Sequence, residues 1–70
     1  MTDWKTLEDK IEASGIRKGF FYEQVGVTRG RWHYLRSRGK DPTPTEIQKI
    51  CDTLNITSLR EKDSIFFAKE

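Results

Sequence analysis

The sequence predicts an all-α fold, a compact bundle of four to five short helices that ends in a short apolar C-terminal tail. Three observations favour this fold class. Apolar residues recur three or four positions apart in several segments, as expected for helices that bury one face. Glycines and helix-capping residues separate these segments. Strand-like alternation is scarcely present, and 70 residues make one domain with a small core, predicted over 4–56 with a tail at 57–70.

The first two helices are predicted from their apolar spacing and their ends. Thr2 or Asp3 can cap the first helix, and Gly15 suits its end. A second segment runs from about Lys18 to Val25, and Gly26 follows at a position where the chain can turn with a positive φ. The apolar residues that define the two buried faces are Trp4, Leu7 and Ile11, then Phe21 and Val25.

A third helix is predicted from Thr28, a good N-cap, to about Ser37. Gly39 and the Asp41–Pro42 pair then end it. Its single apolar seam consists of two residues three positions apart, Trp32 and Leu35.

The fourth helix has the strongest local signal. Thr43 is an N-cap, Pro44 occupies the first turn, and Glu46 completes a capping box three residues after the cap. Asn55 is a plausible C-terminal cap. The apolar face between these ends holds Ile47, Ile50, Cys51 and Leu54.

The C-terminal part of the chain is predicted less sharply. Ser58 and Glu61 repeat the capping-box spacing, which suggests a short fifth helix. The chain then ends in an apolar cluster outside any clear period. Phe66 and Phe67 in this cluster can cover the small core or contact a second subunit, and we expect one ring to do each.

Positive charge is concentrated in one segment. The net charge is +2, but residues 29–40 carry five basic side chains and no acid, whereas residues 1–28 sum to −1 and residues 41–70 to −2. This distribution is typical of a local anion-binding surface, and a solvated helix face is the plainer alternative. The five basic residues are Arg29, Arg31, Arg36, Arg38 and Lys40.

The second and third predicted helices, joined by a short turn with Gly26, form a helix-turn-helix. Because Trp32 and Leu35 must pack inward, the opposite arc of the third helix faces outward. A helix with a basic outward face fits the major groove of B-DNA, where its first residues reach base edges and its flanks touch phosphates. The predicted outward arc holds Arg29, Gly30, Arg31, His33, Tyr34 and Ser37.

On these residues, the chain resembles the small phage repressor and Cro-type helix-turn-helix proteins. The resemblance covers roughly residues 4–56 and is most specific from Ile16 to Leu35 and in the stretch PTPTEIQKICDTLNI. In that family the second stretch is a helix packed behind the DNA-reading pair, and its ending matches Leu54-Asn55-Ile56. The resemblance implies a double-stranded DNA operator as ligand and a homodimer on a palindrome, with two reading helices about one DNA turn apart.

Two positions depart from the family pattern. The middle of the second helix usually holds a small residue, where this chain has Tyr22, whose size can change how the two helices cross. A polar base reader usually lies two residues after the threonine cap, where this chain has Gly30. Base reading would then depend on the neighbouring residues Arg29, Arg31, His33 and Tyr34.

Individual roles on DNA follow from position. Arg29 and Arg31 can bind guanine O6 and N7 in a bidentate way, and a phosphate contact is the alternative for each. The resemblance places Thr28 and Lys18 at phosphates, although Thr28 also serves as a cap and Lys18 can simply be solvated. Beyond the reading turn, phosphate contacts are expected from Arg38 and Lys40.

The aromatic and sulfur-containing residues have alternative roles. Trp32 is expected in the core because of its spacing to Leu35, although stacking on a base is the alternative. His33 is expected at the surface near DNA. Tyr34 can touch a thymine methyl or a phosphate, or cover Trp32. Cys51 is most simply a small core residue.

The leading functional hypothesis is a sequence-specific DNA-binding regulator, a Cro-like phage or prophage repressor in the cytoplasm of a bacterial host. The alternative is a modulator or antirepressor of the same fold that binds a phage repressor protein. An enzyme is disfavoured, because no catalytic set of side chains is suggested. One cysteine and one histidine also predict no disulfide, no metal and no cofactor, and no apolar run approaches the roughly 20 residues of a membrane span.

Overall fold

The computed structural model describes residues 1–68, and within them the chain forms five α-helices, as the sequence predicts. No helix in this part of the chain is long and apolar enough to cross a membrane. Residues 69 and 70, which the predicted tail includes, lie outside the described residues. The helices are α1 (Trp4–Ser14), α2 (Lys18–Val25), α3 (Arg29–Arg38), α4 (Pro44–Leu54) and α5 (Leu59–Phe66).

The N-terminus shows which of the two predicted caps is used. Asp3 caps α1, because its Oδ1 accepts a hydrogen bond from the backbone N–H of Thr6 at 3.1 Å. Thr2 is buried instead and donates its backbone N–H and its hydroxyl to Oδ1 of Asp41, at 2.7 and 2.8 Å. The first residues are thereby tied to the loop that follows α3.

The helix-turn-helix unit consists of α2, the turn Gly26–Thr28 and α3. Gly26 ends α2 in the left-handed conformation with φ 80°, which a side chain would disfavour. Thr28 then caps α3, since its hydroxyl oxygen accepts from the backbone N–H of Arg31 at 3.1 Å. Helix α3 extends one residue beyond its predicted end at Ser37.

The predicted capping box of α4 is confirmed. The Thr43 hydroxyl accepts from the Glu46 backbone N–H at 3.2 Å, and Glu46 Oε1 accepts from the Thr43 backbone N–H at 2.8 Å. Pro44 lies in the first turn, and Asn55 ends the helix with φ 57°. Both ends of α4 are therefore fixed by local hydrogen bonding.

The structure refines the predicted C-terminal tail. Ser58 caps α5, and the helix continues through Ile65 and Phe66, which are each 1% exposed and belong to the core. The expectation that one terminal ring packs in the chain's own core is confirmed for Phe66. Phe67 is 57% exposed, and its contact with a partner stays a prediction.

The core lies between the helices, and Trp32 is its largest fully buried side chain. The rings of Trp4, Phe21 and Tyr22 surround it, with centroids 5.1, 5.2 and 5.8 Å away. Cys51 is also buried, as predicted. The buried apolar residues are Leu7, Ile11, Phe21, Tyr22, Val25, Val27, Trp32, Leu35, Ile47, Ile50, Cys51, Ile56, Ile65 and Phe66.

Replacing Trp32 with alanine should unfold the domain. The substitution removes the ring that three other aromatic residues contact and leaves a large cavity, at a cost of roughly 3–5 kcal/mol, which is most of the stability of so small a core. Far-UV circular dichroism during thermal unfolding measures the loss. Trp32→Phe, which fills much of the same space, should be distinctly milder. A Trp32→Ala variant with unchanged melting would contradict this role.

Candidate nucleic-acid interface

Helix α3 buries its apolar side chains on one side, against the rest of the domain. Trp32 and Leu35 are 1% and 4% exposed, so the predicted apolar seam faces the core. The indole Nε1 of Trp32 also donates a hydrogen bond to Oε1 of Glu8 at 2.9 Å. The ring is thus fixed by packing and by a polar contact with α1, and Trp32 is a core residue, as its spacing predicts.

The opposite side of α3 is open. Thr28 at its cap, and Arg29, Gly30, His33, Tyr34 and Ser37 along it, are all exposed, in agreement with the predicted outward arc. No acidic residue occurs between 29 and 40. This arc, together with Arg38 and Lys40 beyond it, is called the α3 face below.

Arg31 is the member of the predicted arc whose charge is paired with a carboxylate of another helix. Its Nε donates to Oε2 of Glu46 at 2.8 Å, and its Nη2 donates to Oε1 of the same carboxylate at 3.0 Å. This is a bidentate ion pair between α3 and α4, the strongest geometry that an arginine and a carboxylate adopt. Arg31 remains partly exposed, but its guanidinium is directed to Glu46.

Glu8 on α1 is a second acceptor for the basic segment. Its carboxylate pairs with Lys18 at the start of α2 and accepts from Nη1 of Arg36 at 3.2 Å, besides its bond from Trp32. Arg36 also donates from Nη2 to Nδ1 of His33 at 3.0 Å. Lys18, predicted to meet a phosphate or solvent, therefore has an intramolecular partner in this structure.

Three basic residues of the segment pair with no carboxylate among residues 1–68: Arg29, Arg38 and Lys40. The Tyr34 ring lies between the last two, with Cζ of Arg38 5.6 Å and Nζ of Lys40 5.8 Å from its centroid. Such cation–π contacts keep both charges close to the end of α3 without neutralising them. Of the roles predicted for Tyr34, covering Trp32 is not the one seen.

A shallow depression of about 540 Å³ separates the starts of α2 and α3. Tyr22 forms part of this depression and also packs against the Trp32 ring. The large side chain of Tyr22, where the sequence resemblance predicts a small residue, therefore fills space between the two helices. The residues that line it are Lys18, Gly19, Tyr22, Arg29 and His33.

Gly30 lies on the open side of α3. A Cβ atom built there would meet no other atom within 4 Å, so the fold itself does not require glycine at this position. Glycine inside a helix costs roughly 1 kcal/mol relative to alanine. A glycine that packing does not need, in the first turn of an exposed basic helix, leaves the backbone accessible to a closely approaching ligand.

The two acceptor carboxylates remain ionised over a wide pH range. The hydrogen bonds from Arg31, opposed by burial and reinforced by the bond from the Thr43 backbone, lower the pKa of Glu46 to about 2. Burial would raise the pKa of Glu8, but hydrogen bonds from Lys18 and Trp32 and the charges of Lys18 and Arg36 hold it below its usual value. Both carboxylates therefore act as anions at neutral pH.

Sequence reasoning placed the α3 face correctly but missed its two internal acceptors. Glu46 was recognised only as part of a capping box, and its contact with Arg31 spans 15 residues. Glu8 follows Leu7 and lies four residues after Trp4, at the border of the apolar face of α1, which is the only signal that could have pointed to it.

No protein-family model, no curated protein and no solved structure matches the chain. The evidence for its function is therefore the geometry of the α3 face: an exposed helical arc free of acids, held from behind by Trp32 and flanked by cations.

Acid should weaken the fold partly through Glu46. Its pKa lies near 2 in the folded chain and near the usual 4.5 when unfolded, so its stabilising contribution is complete above pH 4.5 and is lost as the pH falls toward 2. Glu46→Gln keeps an acceptor for the Thr43 cap but cannot titrate. Urea unfolding at pH 7, 4.5 and 2.5 should therefore show a smaller acid-induced loss for Glu46→Gln than for the wild type. Equal losses would mean that Glu46 has an ordinary pKa.

Proposed function

We propose that the protein is a sequence-specific double-stranded DNA-binding regulator of the phage repressor and Cro type, acting in the cytoplasm of a bacterial host. Helix α3 inserts in the major groove of an operator and blocks transcription there. One observation carries this proposal: the basic segment is presented on a helix whose only buried side is the Trp32–Leu35 seam, so its outward arc is free for a polyanion.

The distribution of partners supports separate roles for the basic residues. Arg29 lies in the first turn of α3, where a recognition helix contacts base edges, and it pairs with no carboxylate in the described part of the chain. Arg38 and Lys40 lie at the other end of α3, beside the Tyr34 ring, and we assign them to phosphate contacts. Base reading and phosphate binding are thus assigned to opposite ends of α3.

The N-terminus of α3 supplies a further donor. Residues in the first turn of a helix have backbone N–H groups without intrahelical partners, and these favour an anion. The Thr28 hydroxyl already accepts from the Arg31 N–H, so the remaining free N–H groups of this turn are those of Arg29 and Gly30. With no side chain at Gly30, a phosphate or base edge can approach the backbone directly.

A homodimer is part of the proposal. Two copies of α3 about one DNA turn apart would read a palindrome, which one 70-residue domain cannot do alone. The exposed Phe67 ring is the candidate contact between subunits. The operator follows from selection of bound sequences out of random duplex DNA, where a palindromic consensus would support both the class and the dimer.

A second function is favoured by the internal pairing of the basic segment. Arg31 and Arg36 are compensated by Glu46 and Glu8, which leaves three rather than five available cations. Such a surface also suits a modulator that binds a phage repressor protein. A gel shift with phage operator DNA, alone and with the partner repressor, separates the two functions.

Binding to duplex DNA should weaken steeply with salt. The three cations per subunit that pair with no described carboxylate bring roughly six positive charges of a dimer to the polyanion, and the slope of log affinity against log salt should then be about −5. Fluorescence anisotropy of a labelled duplex over a salt series measures it. Arg38→Ala should reduce affinity for all sequences about equally. A slope near zero would exclude duplex DNA as the ligand.

Replacing Arg29 with alanine should affect specificity and leave stability alone. The side chain is exposed and has no internal partner among the described residues, so the melting temperature should hardly change. Specific affinity should fall by about 1–3 kcal/mol, with relaxed preference at one guanine per half-site, because a bidentate contact to O6 and N7 is lost. Binding to the selected site and its single-base variants measures this. Equal losses on every variant would make Arg29 a phosphate contact.

A further inference from the structure

The Arg31–Glu46 ion pair is unusual within the basic segment because its acid is fixed in place. Oε1 of Glu46 accepts both from Nη2 of Arg31 at 3.0 Å and from the Thr43 backbone N–H at 2.8 Å. The Thr43 side chain in turn accepts from the Glu46 backbone at 3.2 Å. The capping box therefore holds the carboxylate at the start of α4, and it cannot follow Arg31 outward.

The charge of Arg31 is already paired within the protein. Both carboxylate oxygens are used by the guanidinium, at 2.8 and 3.0 Å, and the Glu46 side chain is only 13% exposed. A phosphate that approached Arg31 would have to displace a preformed bidentate partner and would also meet its negative charge. Arg38 at the other end of the helix has no such competitor among residues 1–68.

We propose that Glu46 is a specificity-determining residue that withholds Arg31 from the phosphate backbone and so limits the protein's affinity for DNA of arbitrary sequence. The inference rests on the proposed function and deepens it. Sequence-independent binding grows with the number of cations that neutralise phosphates, whereas discrimination depends on the ratio of specific to non-specific affinity. An internal carboxylate that pairs with one arginine per subunit lowers the non-specific affinity and leaves the base reader Arg29 unchanged.

The sequence of the cap makes the proposal testable. Glu46→Gln removes the charge while keeping the oxygen that accepts from the Thr43 N–H, since glutamine also forms capping boxes. Glu12→Gln is the matched control, because Glu12 is an exposed α1 residue whose carboxylate takes part in no ion pair with the described residues. Circular dichroism verifies that both variants keep the helix content of the wild type.

The experiment measures anisotropy of a labelled random-sequence duplex over a salt series. Glu46→Gln should bind roughly five- to tenfold more tightly near 0.1 M salt, and its log–log salt slope should steepen by about one per subunit, as expected for one added phosphate contact. Glu12→Gln should change affinity by about twofold or less, since solvent screens an exposed charge that forms no ion pair with the described residues. On the selected operator the gain should be smaller than on random DNA, so that the ratio of specific to non-specific affinity falls.

A double-mutant cycle shows whether the effect passes through Arg31. Arg31→Gln alone should hardly weaken non-specific binding, whereas Arg38→Gln should weaken it severalfold. In the Arg31→Gln background, the gain from Glu46→Gln should shrink to about twofold or less, which is the effect expected from removing one charge alone. The comparison of Arg31→Gln with Arg38→Gln tests the same point without altering the cap.

Four results would overturn the inference. An equal gain with and without Arg31 would mean that Glu46 acts only by its own charge. A loss confined to one base pair of the operator in Glu46→Gln would mean that the carboxylate orients Arg31 for base reading. If the wild type binds operator DNA but Glu46→Gln matches Glu12→Gln, the inference fails while the proposed function stands. If neither the wild type nor Glu46→Gln binds any duplex at low salt, both the proposed function and the inference fail.

Discussion

The hydrogen bond from the Trp32 indole to the Glu8 carboxylate links the aromatic core of the domain to the charged residues at its surface. The ring belongs to the core, between the aromatic side chains of α1 and α2, but its N–H needs a polar partner. Glu8 provides that partner at the edge of the core, and the same carboxylate receives Lys18 and Arg36. The orientation of α3 and the position of two flanking cations therefore depend on one acidic residue of α1.

The basic segment is consequently divided by the fold. Residues beside the apolar seam, Arg31 and Arg36, face acids on α4 and α1, whereas Arg29, Arg38 and Lys40 pair with no carboxylate within residues 1–68. Helices α4 and α1 border α3 on the two sides of its apolar seam. An acidic residue on either of these helices can therefore pair with a basic residue at the edge of the seam. The formal charge of +5 over residues 29–40 thus overstates the charge available to a ligand. Counting basic residues in a sequence cannot reveal this difference, because pairing depends on what packs alongside.

Features of the structure that depend on neighbouring residues were predictable, and those that depend on distant ones were not. Thr28, Thr43 and Ser58 act within three residues of themselves, so their chemistry gave the starts of three helices. The seam of α3 followed from the spacing of Trp32 and Leu35. The bond between Thr2 and Asp41 joins residues 39 apart, and no local pattern indicates it. In α5, apolar residues do not recur three or four positions apart. Ile65 and Phe66 therefore gave no helical signal in the sequence, and only the tertiary contacts define the buried face of this helix.

The first and last described residues meet in the folded chain. The backbone N–H of Asp3 donates to Ile65 at 2.6 Å, and that of Ala68 donates to Met1 at 2.9 Å. These bonds close a loop of almost the whole described length, so the start of α1 is completed by residues that are synthesised much later than the helix itself. At roughly 5–20 residues per second, the N-terminal segment waits about 3–12 s for its partners. Helix α1 can form during that interval, but its first residues gain their long-range hydrogen bonds only after synthesis has passed residue 68.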